Sequence, residues 1–273
     1  MAYKDILVHM GGSAYAERAR VACQLAEVHG AHVVGLHVTQ PPDVPPYVEA
    51  QLTAEVLRAQ ERFSDEDRAQ SKAAFDDVIK GFTLSTEWRA VEGDAVEAVE
   101  LHGRHADLVV LGQTDPDSPA TVNLDIAGRL VLSLGRPVLA VPYVGRYETV
   151  GKRVLVAWDG SRTAARALGD ALPILQRAEA VSVLSLNADE NHAAMAGVDI
   201  AVHLARHDVT VEAQHLRGGD IGAGAALLSR AADFGADMLV MGAYGHARWR
   251  ELVLGGVTEH MLDHMTLPVF MSH

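Results

Sequence analysis

A single cysteine, Cys23, excludes an internal disulfide framework and any zinc site built from several thiolates. Aromatic residues make up only 5% of the chain, too few for a base-stacking platform. Lys and Arg number 23 against 36 Asp and Glu, a formal net charge of −13, so the clustered positive charge that nucleic acid or an anionic membrane requires is lacking. An anion can then be held only locally, against the overall field. No apolar run approaches the roughly 20 residues of a membrane span. The opening MAYKDILVHMGGS, with Lys4, Asp5 and a short apolar stretch, predicts a buried strand rather than a signal peptide. These absences predict a cytoplasmic protein with neither nucleic acid nor membrane as a partner. The chain also lacks a Gly-Lys-Ser/Thr phosphate loop and a Gly-x-Ser-x-Gly nucleophile elbow.

What is present is a repeat. DILVHMGGSAYAERA (5–19) aligns with RVLVAWDGSRTAARA (153–167) at an offset of 148, and AHVVGLHV (31–38) with AVSVLSLN (180–187) at 149. ADLVVLG (106–112) aligns with ADMLVMG (236–242) at 130, and RPVLAV (136–141) with LPVFMS (267–272) at 131. The changes of offset place insertions in the connections, where loops tolerate them. Two domains follow, 1–148 and 149–273.

Within each half, short Val, Leu and Ile runs read as strands covered on both faces. Helical spacing lies between them. Ala19, Ala22, Cys23 and Ala26 form one stripe, stopped by Gly30; Val198, Ala201, Val202 and Ala205 form another. Strand–helix alternation predicts an α/β fold: two tandem Rossmann-like or flavodoxin-like domains, each an open parallel five-stranded sheet with helices on both faces. One segment breaks the symmetry. QPPDVPPYVEAQ (40–51) is too proline-rich for a central strand and leads into a polar helical stretch reaching about Lys80, with a solvated charged face in ERFSDEDRAQ.

The stretch GAYGHARWRELVLGG (242–256) carries two glycine clusters. Gly242 ends a strand, Gly245 lets the backbone turn closely, and Gly255 and Gly256 precede the helix VTEHMLDHM, with Val257, Met261 and Met265 on one face. The clusters are either independent tight turns or two sides of one anion pocket, in which backbone N–H groups approach phosphate oxygens that a Cβ would exclude. GDIGAG (219–224) reads as a strand-to-helix turn.

Here the chain resembles the universal stress proteins, whose nucleotide-binding members carry G-x2-G-x9-G-(Ser/Thr) after the fourth strand. This chain has Gly242-x2-Gly245-x9-Gly255, with Gly256 where a hydroxyl residue is usual. VLVAWDGS matches the family's first strand and LPVFMS its last, so the likeness is to a tandem member. The resemblance implies ATP or AMP binding in the second half, with Mg2+ as a possible companion. Gly242, Gly245, Gly255 and Gly256 would hold phosphates, followed by Val257 at the helix start. Asp159 would accept hydrogen bonds from the ribose or adenine side, and Val183, Leu184, Ser185 and Leu186 would wall the base. Thr258 is the nearest hydroxyl to replace the one missing at Gly256.

In the first half the aligned residues are Asp115, Leu124 and Asp125, with Gly11 in place of Asp159 and Pro116 removing a backbone donor. Asp125 stands where its own carboxylate can cap a helix start and repel a phosphate. The sequence therefore predicts a first half that binds no nucleotide and pairs structurally with the second as a pseudo-dimer, with a further homodimer open. RPVLAV and LPVFMS are the strands expected to pair.

Other candidate chemistry is sparse. Fourteen histidines are present, with His260 and His264 four apart and His102 and His105 a looser pair, but no zinc-ligand pattern accompanies them. Cys23 on an apolar stripe reads as an inert core thiol. Ser161 reads as a helix start. Arg248 and Arg250 either reach a phosphate tail or are solvated, and Trp158 either lies near the base or packs at the sheet edge. Three functions stay open: an adenine-nucleotide-binding stress or regulatory protein, a non-catalytic interaction scaffold, and a slow ATP hydrolase of the same fold. The lack of an evident base, nucleophile or magnesium carboxylate pair weighs against the last.

Overall fold

The computed structural model describes residues 2–40, 53–117, 125–186, 199–216, 222–245 and 256–273. The first half runs β1 (Asp5–His9), α1 (Tyr15–His29), β2 (His32–Thr39), α2 (Ala54–Ile79), β3 (Thr86–Glu92), α3 (Ala95–Gly103), β4 (Leu108–Gly112), α4 (Ile126–Ser133) and β5 (Val138–Val141). The second runs β6 (Arg153–Trp158), α5 (Arg162–Leu175), β7 (Ala180–Leu186), a helical stretch at 199–205 (α6), β8 (Val211–Leu216), α7 (Ala223–Phe234), β9 (Met238–Gly242), α8 (Gly256–His264) and β10 (Val269–Ser272). α1 ends as its sequence predicts. Gly30 adopts a left-handed φ of 63°, and its N–H returns to the carbonyl of Ala26.

All ten strands join one sheet in the order β3-β2-β1-β4-β5-β10-β9-β6-β7-β8. Pairing is parallel throughout each half, and the halves meet where β5 and β10 run antiparallel, Phe270 opposite Leu139. The strands RPVLAV and LPVFMS are thus paired with each other at the centre, and β3 and β8 form the outer edges. The strands are apolar on both faces because each face is covered. Val8, Val110, Val156 and Val240 meet α1, α2, α5 and α6 on one side. Leu7, Leu111, Leu155 and Met241 meet α3, α4, α7 and α8 on the other.

Strand register corrects the repeat alignment at one block. β1 pairs Asp5 with His32, and β6 pairs Arg153 with Ala180, so β2 and β7 correspond at an offset of 148, not 149. Burial agrees: Val33 and Val181 share one core, Leu36 and Leu184 the other. Apolar composition alone cannot detect the slip, because both faces of these strands are buried, whereas in the sheet one residue exchanges every side chain between faces.

The α6 stripe also needs correction. Ile200 and Leu204 are its buried residues, at 7% and 0% exposure, whereas Val202 is 44% exposed and Ala205 is exposed. Val198 lies outside the described residues. α2 is the predicted polar helix. Only Ser71 and Phe75 are buried along its 26 residues, and its charges pair along its own surface, as in Lys72–Asp76.

Candidate functional site

In each half the strand order reverses between the first and fourth strands, β1 and β4 or β6 and β9. In such sheets a crevice opens beyond the carboxyl ends of these strands, faced by helix N-termini.

In the second half, α5 begins at this edge. Ser161 caps it by accepting from the Ala164 N–H at 3.1 Å, and Asp159 accepts from the Ser161 N–H at 2.9 Å, which makes the turn out of β6. Asp159 itself is exposed beside the crevice. Gly242 ends β9 directly against α5. A Cβ there would come within 2.5 Å of the Thr163 carbonyl carbon, and one on Gly245 within 2.7 Å of Thr163 Oγ1. Both glycines are therefore required in part by packing of the loop onto the first turn of α5. Gly256 differs. It opens α8, and among the described residues nothing lies within 4 Å of where its Cβ would stand. Gly255, Arg248 and Arg250 lie outside the described residues.

Thr258 is 4% exposed, and its Oγ1 accepts from the Tyr244 N–H at 3.1 Å. It ties the Gly242–Gly245 loop to α8. Val257 packs partly against the α8-side core. Tyr244 holds a left-handed φ of 48°, and its phenol reaches the start of α4 in the first half, 2.9 Å from where a Gly128 Cβ would lie. Burial, with Asp125 and Glu259 nearby, raises its ionisation above the usual tyrosine range.

Val183 and Leu184, expected to wall a base, are set within β7. Each is 1% exposed, and they point into opposite cores because the strand is covered on both faces. Ser185, 4% exposed, has a buried Oγ with no hydrogen-bond partner among the described residues, and the same holds for Trp158 Nε1. Such groups cost about 1–3 kcal/mol each when left unsatisfied. Leu186 ends β7 at the same edge.

The matching edge of the first half carries side chains bonded to its own backbone. Asp125 caps α4, its Oδ1 accepting from the Gly128 N–H at 2.8 Å, as its sequence position predicts. Arg18, 3% exposed, lays its guanidinium beneath Gly112, whose Cβ would come 2.8 Å from Arg18 Cζ, and donates to the carbonyls of Gly11 and Ser13 at 2.8 and 2.9 Å. Burial lowers this guanidinium to about 10. His9 lies over Gly11 and is driven down to about 3 by burial, then by Arg18 and His37. α2 adds to these: Ser71 Oγ donates to the Met10 carbonyl at 2.5 Å, and His37 Nδ1 lies 3.3 Å from the same oxygen. Sequence reasoning missed Arg18 and Ser71. Their only signal was a polar residue adjoining an apolar helical stripe.

Gln113, 8% exposed, crosses between the halves. Its amide donates to the carbonyls of Leu262 and Asp263 at 2.8 and 3.1 Å and accepts from the Tyr143 N–H at 3.3 Å. His260 and His264 stack with ring centroids 4.3 Å apart, but among the described residues no group of three His, Cys, Asp or Glu could hold a metal ion. Cys23 is fully buried, and burial pushes its thiol up to about 12. Among the described residues no helix is long and apolar enough to cross a membrane.

Fold and site together define a class: a tandem, doubly wound α/β protein whose two halves share one sheet. Comparison with known proteins places it more narrowly. The model of the universal stress protein family matches residues 2–142 and 151–273, and the chain belongs to that family. Universal stress protein Slr1230 of Synechocystis is 25% identical over 292 residues, covering 97% of this chain and 98% of that protein. A universal stress protein structure from Archaeoglobus fulgidus shares the fold with a TM-score of 0.71 at 15% identity, over 98% of this chain and 97% of that one. A putative universal stress protein from Pseudomonas aeruginosa does so at 0.60 and 17%, over 99% and 93%.

Proposed function

We propose that this protein binds one adenine nucleotide, ATP or AMP, in its second half and acts as a regulatory stress protein whose first half serves as a structural partner. The observation that carries this reading is the contrast at two equivalent helix starts. α4 is capped by the Asp125 carboxylate, whereas Gly256 opens α8 with nothing among the described residues within 4 Å of its Cβ position. A helix start of this kind offers N–H groups and a positive dipole end to a phosphate. Gly242 and Gly245 bring their loop to the same edge, and Gly255 completes the motif. Asp159 lies beside it for the nucleoside, and Val257 follows on α8. Mg2+, when present, is carried chiefly by phosphate oxygens and water, as that ion commonly is. The halves joined through β5 and β10 are read as an intramolecular counterpart of a dimer, and the single buried thiol suits the cytoplasm.

The test copies the first half into the second. Gly256→Asp places a carboxylate at the start of α8 without a steric clash and suits the helix dipole. Calorimetric titration of the wild type should give one ATP per chain, and Gly256→Asp should abolish binding with an unchanged melting temperature. Equal ATP binding by the two proteins removes the proposed site. Two ATP per wild-type chain overturns the assignment of the first half.

A further inference from the structure

The loop that leaves β9 is held by both halves of the protein. Ala243 donates its N–H to the Ser272 carbonyl at 2.9 Å, and its own carbonyl lies 3.0 Å from His273 Nδ1. Tyr244 N–H goes to Thr258 Oγ1 on α8. These ties lie within the second half. A further one crosses to the first half, where the Tyr244 phenol rests against the start of α4.

That contact is built at Gly128. It is buried in the first turn of α4, although only proline is less favourable than glycine inside a helix. A Cβ there would collide with the Asp125 carboxylate and stand 2.9 Å from the Tyr244 hydroxyl oxygen. At the offset of 131 that aligns Asp125 with Gly256, the α8 counterpart of Gly128 is Glu259, so the helix position itself does not demand glycine. Gly128 leaves room for the carboxylate that caps α4 and for the phenol that arrives from the other half.

Tyr244 reaches this seat from a left-handed φ of 48°, a conformation that a bulky residue keeps only where its surroundings impose it. Its ring packs partly against the core under α4 and α8. Gly242 and Gly245 lie two residues before it and one after, so whatever fixes the ring fixes the backbone N–H groups beside it. The crossing is mutual. Gln113, the repeat counterpart of Ala243, reaches from the loop after β4 to the last turn of α8.

We propose that Tyr244 is a positioning residue: its phenol, seated over Gly128, fixes the β9 loop in the conformation that receives a phosphate. Anion affinity in the second half then depends on a residue of the first. This rests on the nucleotide-binding reading above and adds to it a route of regulation, since a shift of α4 shifts the loop. A loop ordered before its ligand arrives loses less freedom on binding. Coupling is reciprocal, so bound nucleotide steadies α4 in turn.

Calorimetric titrations with ATP and with inorganic tripolyphosphate compare wild type, Tyr244→Asn, Gly128→Ala and the double variant. Asparagine tolerates a left-handed φ, so the loop keeps its backbone shape while the reach to α4 is lost. Each single variant should bind both ligands about tenfold more weakly, because the loop acts on the phosphates they share. The double variant should bind no more weakly than Tyr244→Asn, since Gly128 acts on the loop only through that ring. Hydrogen exchange of the wild type needs no substitution and keeps the test decisive should Gly128→Ala fail to fold: ATP should slow the amides of α4. Unchanged affinity in either folded single variant overturns the proposal, as do losses that multiply in the double variant or α4 amides that ATP leaves unchanged. A loss for ATP that tripolyphosphate does not share places Tyr244 at the nucleoside and overturns it too. A wild type that binds neither ligand refutes the nucleotide reading itself, and the proposal with it.

Discussion

The side-chain amide of Gln113 donates to the backbone carbonyl of Leu262 at 2.8 Å, fastening the loop after β4 in one half to the last turn of α8 in the other. Its second acceptor, Asp263 O, and its own acceptance from Tyr143 N–H make it a three-way junction, 8% exposed. Gln113→Ala leaves these buried backbone groups unsatisfied and should lower stability by about 1–3 kcal/mol. The midpoint of urea unfolding, followed by circular dichroism, measures this; an unshifted midpoint argues against the junction.

Gly242 and Gly256 should respond in opposite ways to a single methyl group. Gly242→Ala forces a Cβ onto the Thr163 backbone and should lower the melting temperature by several degrees, a cost on the order of 1–3 kcal/mol. Gly256→Ala meets nothing among the described residues and improves helix propensity, so its melting temperature should hold or rise. Differential scanning calorimetry on the pair separates a glycine kept for packing from one whose packing leaves it free.

Asp125 stabilises α4 through its cap. Replacing it with Ala should cost about 1 kcal/mol, and with Asn only a small part of that, since Asn keeps the accepting oxygen. Chemical denaturation of both variants checks the order; equal losses would point to charge rather than the cap.

His9 and His29 set an acid limit on stability. Burial is the main cause in both, and it pulls His9 to about 3 and His29 to about 4, with Arg18 and Arg177 adding repulsion. In the unfolded chain both return to about 6.5. Between those values the unfolded state binds protons that the folded state refuses, so stability is complete above about pH 6.5 and falls as the pH drops toward 4. The urea midpoint should therefore be lower at about pH 5 than at about pH 7.5, and a His9→Gln, His29→Gln protein should show a smaller difference. An unchanged difference would place the acid sensitivity elsewhere.

Cys23 should resist iodoacetamide in the native protein and react once the chain unfolds. It is fully buried, and burial, with Glu27 adding repulsion, raises its thiol to about 12. Mass spectrometry of alkylation against urea concentration measures this. Rapid native labelling would show that α1 opens locally.

Much of the architecture is local information and is readable in the chain. Strands such as DILVH and MLVMG are continuous apolar runs because both their faces are covered, and Gly30 and Ser161 mark helix ends by their own backbone and side-chain chemistry. The Asp125 cap was legible for the same reason, since it acts within a few residues of itself. The β2–β7 alignment was not, because a strand buried on both faces has no alternation to betray a one-residue slip.

What the sequence by itself determined, then, is the twofold repeat, the α/β alternation, and the loss of the glycine pair from the first half. The tertiary structure alone decided that Gly242 and Gly245 are pressed against Thr163, that Arg18 and Ser71 bond the carbonyls of Gly11 and Met10, and that Trp158 Nε1 and Ser185 Oγ lack a hydrogen-bond partner among the described residues. These relations join residues far apart in the chain, or adjacent only through strand register. Whether a buried polar group is satisfied depends on which atoms come within hydrogen-bond reach, and that distance exists only once the sheet has formed.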